Sequence, residues 1–173
     1  MKLSKFKNRG FTLLFAVLIA SVLLSVALAI FSQMYKSLLL SSASKESLTA
    51  FYAADSGIEC VLYWDLKHEP LTSFSDSIFP NPNNPSGVVN TDIKCNDQNF
   101  TAGWVVVESS ISVTTTFDLY FRGGFLPTEG CTKVTVIKTK NFDGTVNTDI
   151  QSRGYNICDS SPRKLERAVR VTY

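Results

Sequence analysis

The 173-residue chain has a single histidine, His68, no acidic residue before Glu46, and neither glycine nor proline between Gly10 and Gly57. One histidine beside four widely spaced cysteines with no CxxC pair argues against a zinc site. There is no GxSxG elbow, Walker loop, HExxH, DFG or glycine-rich dinucleotide fingerprint, so the residues that common catalytic chemistries need are missing. No catalytic residue, metal ligand or cofactor is assigned, and His68, beside Glu69 and Pro70 without a nucleophile, reads as surface structure. An excess of one charge is also missing from most of the chain. From Lys67 onward eleven basic residues face eleven acidic ones, a balance that disfavours nucleic-acid binding by net charge.

The positive charge is instead local. Lys2, Lys5, Lys7 and Arg9 fall in the first ten residues and precede an uncharged run from Phe11 to Tyr35. As a helix such a run of about 25 residues extends roughly 38 Å, enough to cross a bilayer. The basic flank keeps residues 1–10 in the cytoplasm and places the remainder outside it. Ala27-Leu28-Ala29 offers a competing reading as a signal-peptidase site, which gives a secreted soluble domain starting near Ile30. Against this, helix-forming sequence continues past Ala29, so cleavage there bisects one helix.

After Lys36, Leu48, Phe51, Ile58, Val61 and Leu62 recur at helical spacing, whereas Lys45, Thr49, Asp55 and Glu59 fall mainly elsewhere. This predicts an amphipathic continuation over 36–66 that lays one stripe on a sheet. Ala53, Ala54, Ser56 and Gly57 form a thin patch that lets another element come close. Gly57 costs about 1 kcal/mol of helix propensity relative to alanine, which a close contact offsets.

Prolines and asparagines from Pro80 to Gly87 predict a loop-rich stretch reaching about Ala102. Strands are expected over 103–108, 111–121, 132–140, 148–155 and 165–172, where Val, Ile, Thr and aromatics alternate in part. Gly123-Gly124 and Asp143-Gly144 supply turns, the second as a hairpin tip, so an antiparallel meander follows. The expected fold class is α+β, a long N-terminal helix packed on an antiparallel sheet, in four segments: 1–10, 11–35, 36–66 and a head over 67–173. Cys60, Cys95, Cys131 and Cys158 are read as disulfides of an exported head, with all three pairings open. Oxygen-rich clusters at Asn81–Asn84, Asn90–Asp92 and Asn96–Asn99 are read as turn chemistry, with calcium the alternative. Trp64, Trp104, Tyr120, Phe121 and Phe125 are expected mostly in the core, with a binding platform the alternative.

Arg9-Gly10-Phe11-Thr12-Leu13-Leu14, between the basic leader and the apolar helix, resembles the class III signal of type IV pilins and pseudopilins. The resemblance covers roughly residues 1–66. It implies cleavage after Gly10 by a membrane prepilin peptidase and methylation of the new N-terminus, Phe11. It also implies a pilin-like fold, other pilins or pseudopilins and an inner-membrane assembly platform as partners, and membrane lipid around the helix. The segment Phe51-Tyr52-Ala53-Ala54-Asp55-Ser56-Gly57-Ile58-Glu59 resembles the motif of PilX-like minor pilins. Asp55 and Glu59, one turn apart, read as a solvated helix face, with subunit contacts at Asp55, Gly57 and Glu59 the alternative. Most filament subunits of this family carry glutamate at the fifth mature position, where this chain has Phe15. The resemblance then implies a minor subunit that initiates or caps a pilus or a secretion or uptake filament, with a tip-displayed binding protein as the alternative.

Overall fold

The computed structural model describes residues 9–66, 77–87, 93–121 and 129–173. The basic leader up to residue 8, His68, the Asn90–Asp92 cluster, Gly123-Gly124 and Phe125 lie outside the described residues. The chain forms two compact units, one up to Ser44 and the other from Lys45 to Tyr173.

A single helix, α1, runs over Arg9–Leu66, 58 residues, as expected of a stretch without proline and with Gly57 as its one interior glycine. In the first unit every residue from Phe11 to Ser44 is exposed. This helix is long and apolar enough to span a membrane. Two hydroxyls in its apolar run are bonded within the helix: Ser21 and Ser25 donate to the carbonyls of Leu18 and Val22 at 2.8 Å each, which lowers the cost of placing them in hydrocarbon.

In the second unit, β1 (Lys94–Cys95) and β2 (Gln98–Asn99) form a two-residue hairpin inside the stretch expected to be loop. Asn96 and Asp97 both take positive φ, 49° and 60°, which such a turn requires and which these two residue types tolerate best after glycine. A short 3₁₀ turn over Thr101–Gly103 leads into β3 (Val105–Glu108), followed by β4 (Ser112–Tyr120), β5 (Glu129–Lys140), β6 (Val146–Ile157) and β7 (Glu166–Thr172). These five strands are antiparallel in the order of the sequence, an uninterrupted meander. The β5–β6 hairpin turns at Asn141–Thr145, where Gly144 has φ +88°. There the Asp143 carboxylate accepts from the Thr145 backbone N–H and hydroxyl, and these bonds hold its pKa below the ordinary value.

Among the described residues the inward face of the sheet has two covers. Over β5 and β6 lies α1: Ala50, Ala53, Ala54, Gly57, Ile58 and Val61 are buried. Leu48 and Phe51, which the spacing assigned to the packed stripe, are instead exposed at 51% and 43%. The small residues win the seam because the strands come too close for large ones. A Cβ on Gly154 of β6 stands 2.1 Å from the Ala50 carbonyl oxygen and 2.3 Å from the Ala54 nitrogen. A Cβ on Gly57 stands 2.5 Å from the Ser152 hydroxyl, itself hydrogen-bonded to Thr132. Over β4 lies an aromatic group built by the loop-rich stretch: Phe79 and Phe100 stack on Phe117 with centroids 6.1 and 4.6 Å away, and Trp104 meets Phe79 edge-on. Val134, Val136 and Ile150 join the two halves into one core.

Candidate functional site

Phe11 and Phe15 lie one helical turn apart, exposed, with stacked rings 6.4 Å between centroids. An apolar ring at residue 15 puts no charge into the uncharged segment. A carboxylate there is costly in lipid, and such residues are usually kept for a function.

The three candidate contact residues on α1 divide. Gly57 is buried against Thr132, Val134 and Ser152 of the chain's own sheet, as Ala53 and Ala54 are buried, while Ser56 of the same thin patch is exposed. Asp55 is half-buried and Glu59 exposed, on the opposite side of the helix with Leu48, Phe51, Tyr52, Tyr63 and Leu66. Glu59 and Tyr63 border the head, and among the described residues Leu48, Phe51, Tyr52 and Leu66 on this face are exposed.

All four cysteines are paired, Cys60 with Cys95 and Cys131 with Cys158. The first bond ties α1 to β1 across 35 residues, and the second ties β5 to the end of β6 across 27. Closing loops of this length stabilises a fold by about 3 to 4 kcal/mol each in the chain-entropy account. Beside Cys60–Cys95, an open groove of about 590 Å³ is lined by Glu59, Tyr63, Trp64, Lys94, Asn96 and Phe121. Its shape is fixed by Trp64, whose indole donates to the Lys94 carbonyl at 3.0 Å, and by Asn96, which donates to the Tyr120 carbonyl at 3.2 Å.

The oxygens of two asparagine clusters bond nearby backbone. Asn81 Oδ1 accepts from the N–H groups of Asn83 and Asn84 at 2.9 Å, and Asn99 Oδ1 from that of Ala102 at 3.1 Å. Among the described residues no group of three or more His, Cys, Asp or Glu is placed to hold a metal ion.

Sequence reasoning missed a buried polar cluster at the end of α1. Asp65 Oδ2 accepts from Lys138 Nζ at 2.8 Å and from the Tyr173 hydroxyl, while Oδ1 accepts from Ser77. Lys138 also donates to Thr148 Oγ1 at 3.2 Å. The side chains of Lys138 and Asp65 are 5% and 2% exposed. The signal was present: Asp65 follows Gly57 and Val61 at four-residue steps on the buried stripe, and Lys138 follows Val134 and Val136 on the inward face of β5.

Burial and then the neighbouring Asp65 carboxylate push the Tyr173 phenol above its ordinary value of about 10. The folded chain holds that proton more tightly than the unfolded chain. This contribution to stability is therefore complete below pH of about 10 and is lost as pH rises above it. Tyr173→Phe is expected to flatten the alkaline fall in the urea midpoint relative to the native chain. An unchanged slope contradicts the assignment.

No protein family, curated protein or solved structure matches this chain.

Proposed function

We propose that this chain is a minor subunit of a type IV pilin-like filament, made as a prepilin. Prepilin peptidase cleaves it after Gly10 and methylates Phe11, the segment 11–35 anchors it in the cytoplasmic membrane, and the head stays outside the cytoplasm. Its partners are that peptidase, other pilins or pseudopilins, the inner-membrane assembly platform and membrane lipid. The observation that carries the reading is architectural. One unbroken helix over Arg9–Leu66 begins as an uncharged apolar segment and ends as the packing partner of an antiparallel sheet. The Arg9-Gly10-Phe11 junction at its start supports the same reading, as do two disulfides, which form and persist in oxidising compartments.

Phe15 in place of glutamate favours a position at the filament tip, where no earlier subunit has to be engaged through a carboxylate. The exposed helix face with Asp55 and Glu59 is then the side offered to neighbours. Substituting Gly10→Leu tests the processing step. In cells that contain prepilin peptidase, the variant is expected to keep its leader and to be missing from sheared filaments. Normal removal of the leader from the variant contradicts the reading.

One observation favours a second role for the same anchored head. The groove beside Trp64, Tyr63 and Phe121 combines aromatic faces with Glu59 and Lys94, a surface suited to holding a ligand at a filament end.

A further inference from the structure

The two edges of the five-stranded sheet are defended unequally. Edge strands expose unpaired backbone groups, and natural sheets protect them with charges, prolines or bulges. β7 carries Glu166, Arg167 and Arg170 within seven residues. β3 reads Val105-Val106-Val107-Glu108 and pairs, among the described strands, only with β4. Val105 and Val107 are each 63% exposed.

The register shows which backbone groups of β3 face away from β4. Ser109 N–H donates to the Ser112 carbonyl at 2.7 Å, so this opposed pair at the mouth of the β3–β4 hairpin is a hydrogen-bonded one. Hydrogen-bonded and non-bonded pairs alternate along an antiparallel ladder. Val107 opposite Thr114 and Val105 opposite Thr116 therefore bond to β4, and the N–H and C=O of Val106 and Glu108 point away from the sheet. Val105 and Val107 present their side chains on the face opposite the core, in rows that continue through Thr114 and Thr116 to Ile137 and Thr135. Ile111 and Phe142 are also exposed at this end of the sheet, where Lys140 N–H bonds to the Ile111 carbonyl at 2.9 Å.

We infer that β3 is a docking edge for an extended segment of another polypeptide, which adds as a sixth strand beside it. The outward groups of Val106 and Glu108 supply the backbone bonds. The exposed valines and Ile111 select apolar side chains at alternate positions on one face, and Glu108 selects a basic residue on the other. This inference rests on the sheet edge and stands apart from the filament reading, so either can fail without the other.

The test uses the full chain in detergent micelles and a fluorescein-labelled eight-residue peptide of alternating valine and lysine, with binding read by fluorescence anisotropy. The control peptide has the same charge, with proline replacing each valine. Saturable binding of the first peptide only is expected. Val106→Pro removes one outward N–H at an edge position where proline is tolerated, and is expected to weaken binding about tenfold. The double variant Val105→Thr with Val107→Thr keeps strand-forming residues while removing the apolar row, and is expected to weaken binding as well. It decides the matter if the proline variant fails to fold. Equal binding of both peptides, no saturable binding, or native affinity in the threonine variant overturns the inference.

Discussion

Gly154→Ala is expected to destabilise the head by about 3 kcal/mol, the upper end of ordinary overpacking, and more than Gly57→Ala does. The reason is what each added methyl meets. At Gly154 it runs into the backbone of α1, the Ala50 oxygen at 2.1 Å and the Ala54 nitrogen at 2.3 Å, so helix and strand must separate. At Gly57 it meets the ends of side chains, the Ser152 hydroxyl at 2.5 Å and the Thr132 methyl at 2.8 Å, which can turn aside. There the methyl also recovers about 1 kcal/mol of helix propensity. Chemical denaturation of both variants gives the comparison. If Gly57→Ala is the more damaging of the two, the seam is not the close backbone contact described here.

Lys138→Met is expected to cost about 3 to 5 kcal/mol, because it leaves the Asp65 carboxylate buried without its cation. Ser77 and Tyr173 still donate to that carboxylate, but neither carries a compensating charge. Asp65→Leu alone strands the ammonium of Lys138 in the same way, leaving it only Thr148. Combining the two removes both charges from a site that is almost fully buried, so the double variant is expected to lose much less than the sum of the singles. Strict additivity in this cycle rules out the ion pair as a coupled unit. The pair links the last turn of α1 to the middle of the sheet, so its loss is expected to free the helix end before the aromatic side of the core.

Much of this architecture was legible in the sequence, because a long run without proline marks the helix and runs rich in Val, Ile, Thr and aromatics between turn residues mark the strands. Among the described residues the long helix runs as far as Leu66, and all five strands fall within a few residues of their expected bounds. Asp143-Gly144 turns the β5–β6 hairpin as read. What hydropathy could not show is distance. Large apolar residues such as Leu48 and Phe51 scored as the packed stripe, yet the seam belongs to Ala50, Ala53, Ala54 and Gly57 because Gly154 lets two backbones nearly touch. That choice depends on a strand about a hundred residues away, and no local pattern encodes it. The β1–β2 hairpin escaped notice because each strand is two residues long and its turn is Asn-Asp rather than Asn-Gly. Asp65 and Lys138 escaped because an isolated charge on an apolar stripe reads as an interruption until its partner is known.

Of the proposed function, the sequence carries the junction at Gly10 and Phe11, and the structure carries a long apolar helix and the sheet that its second half packs on. Intact mass and N-terminal sequencing of the chain isolated from membranes, with and without co-expressed prepilin peptidase, join the two. The account predicts a mature chain that starts at methylated Phe11 only when the peptidase is present. A start at Ile30, independent of the peptidase, contradicts it and makes the head a conventionally secreted domain.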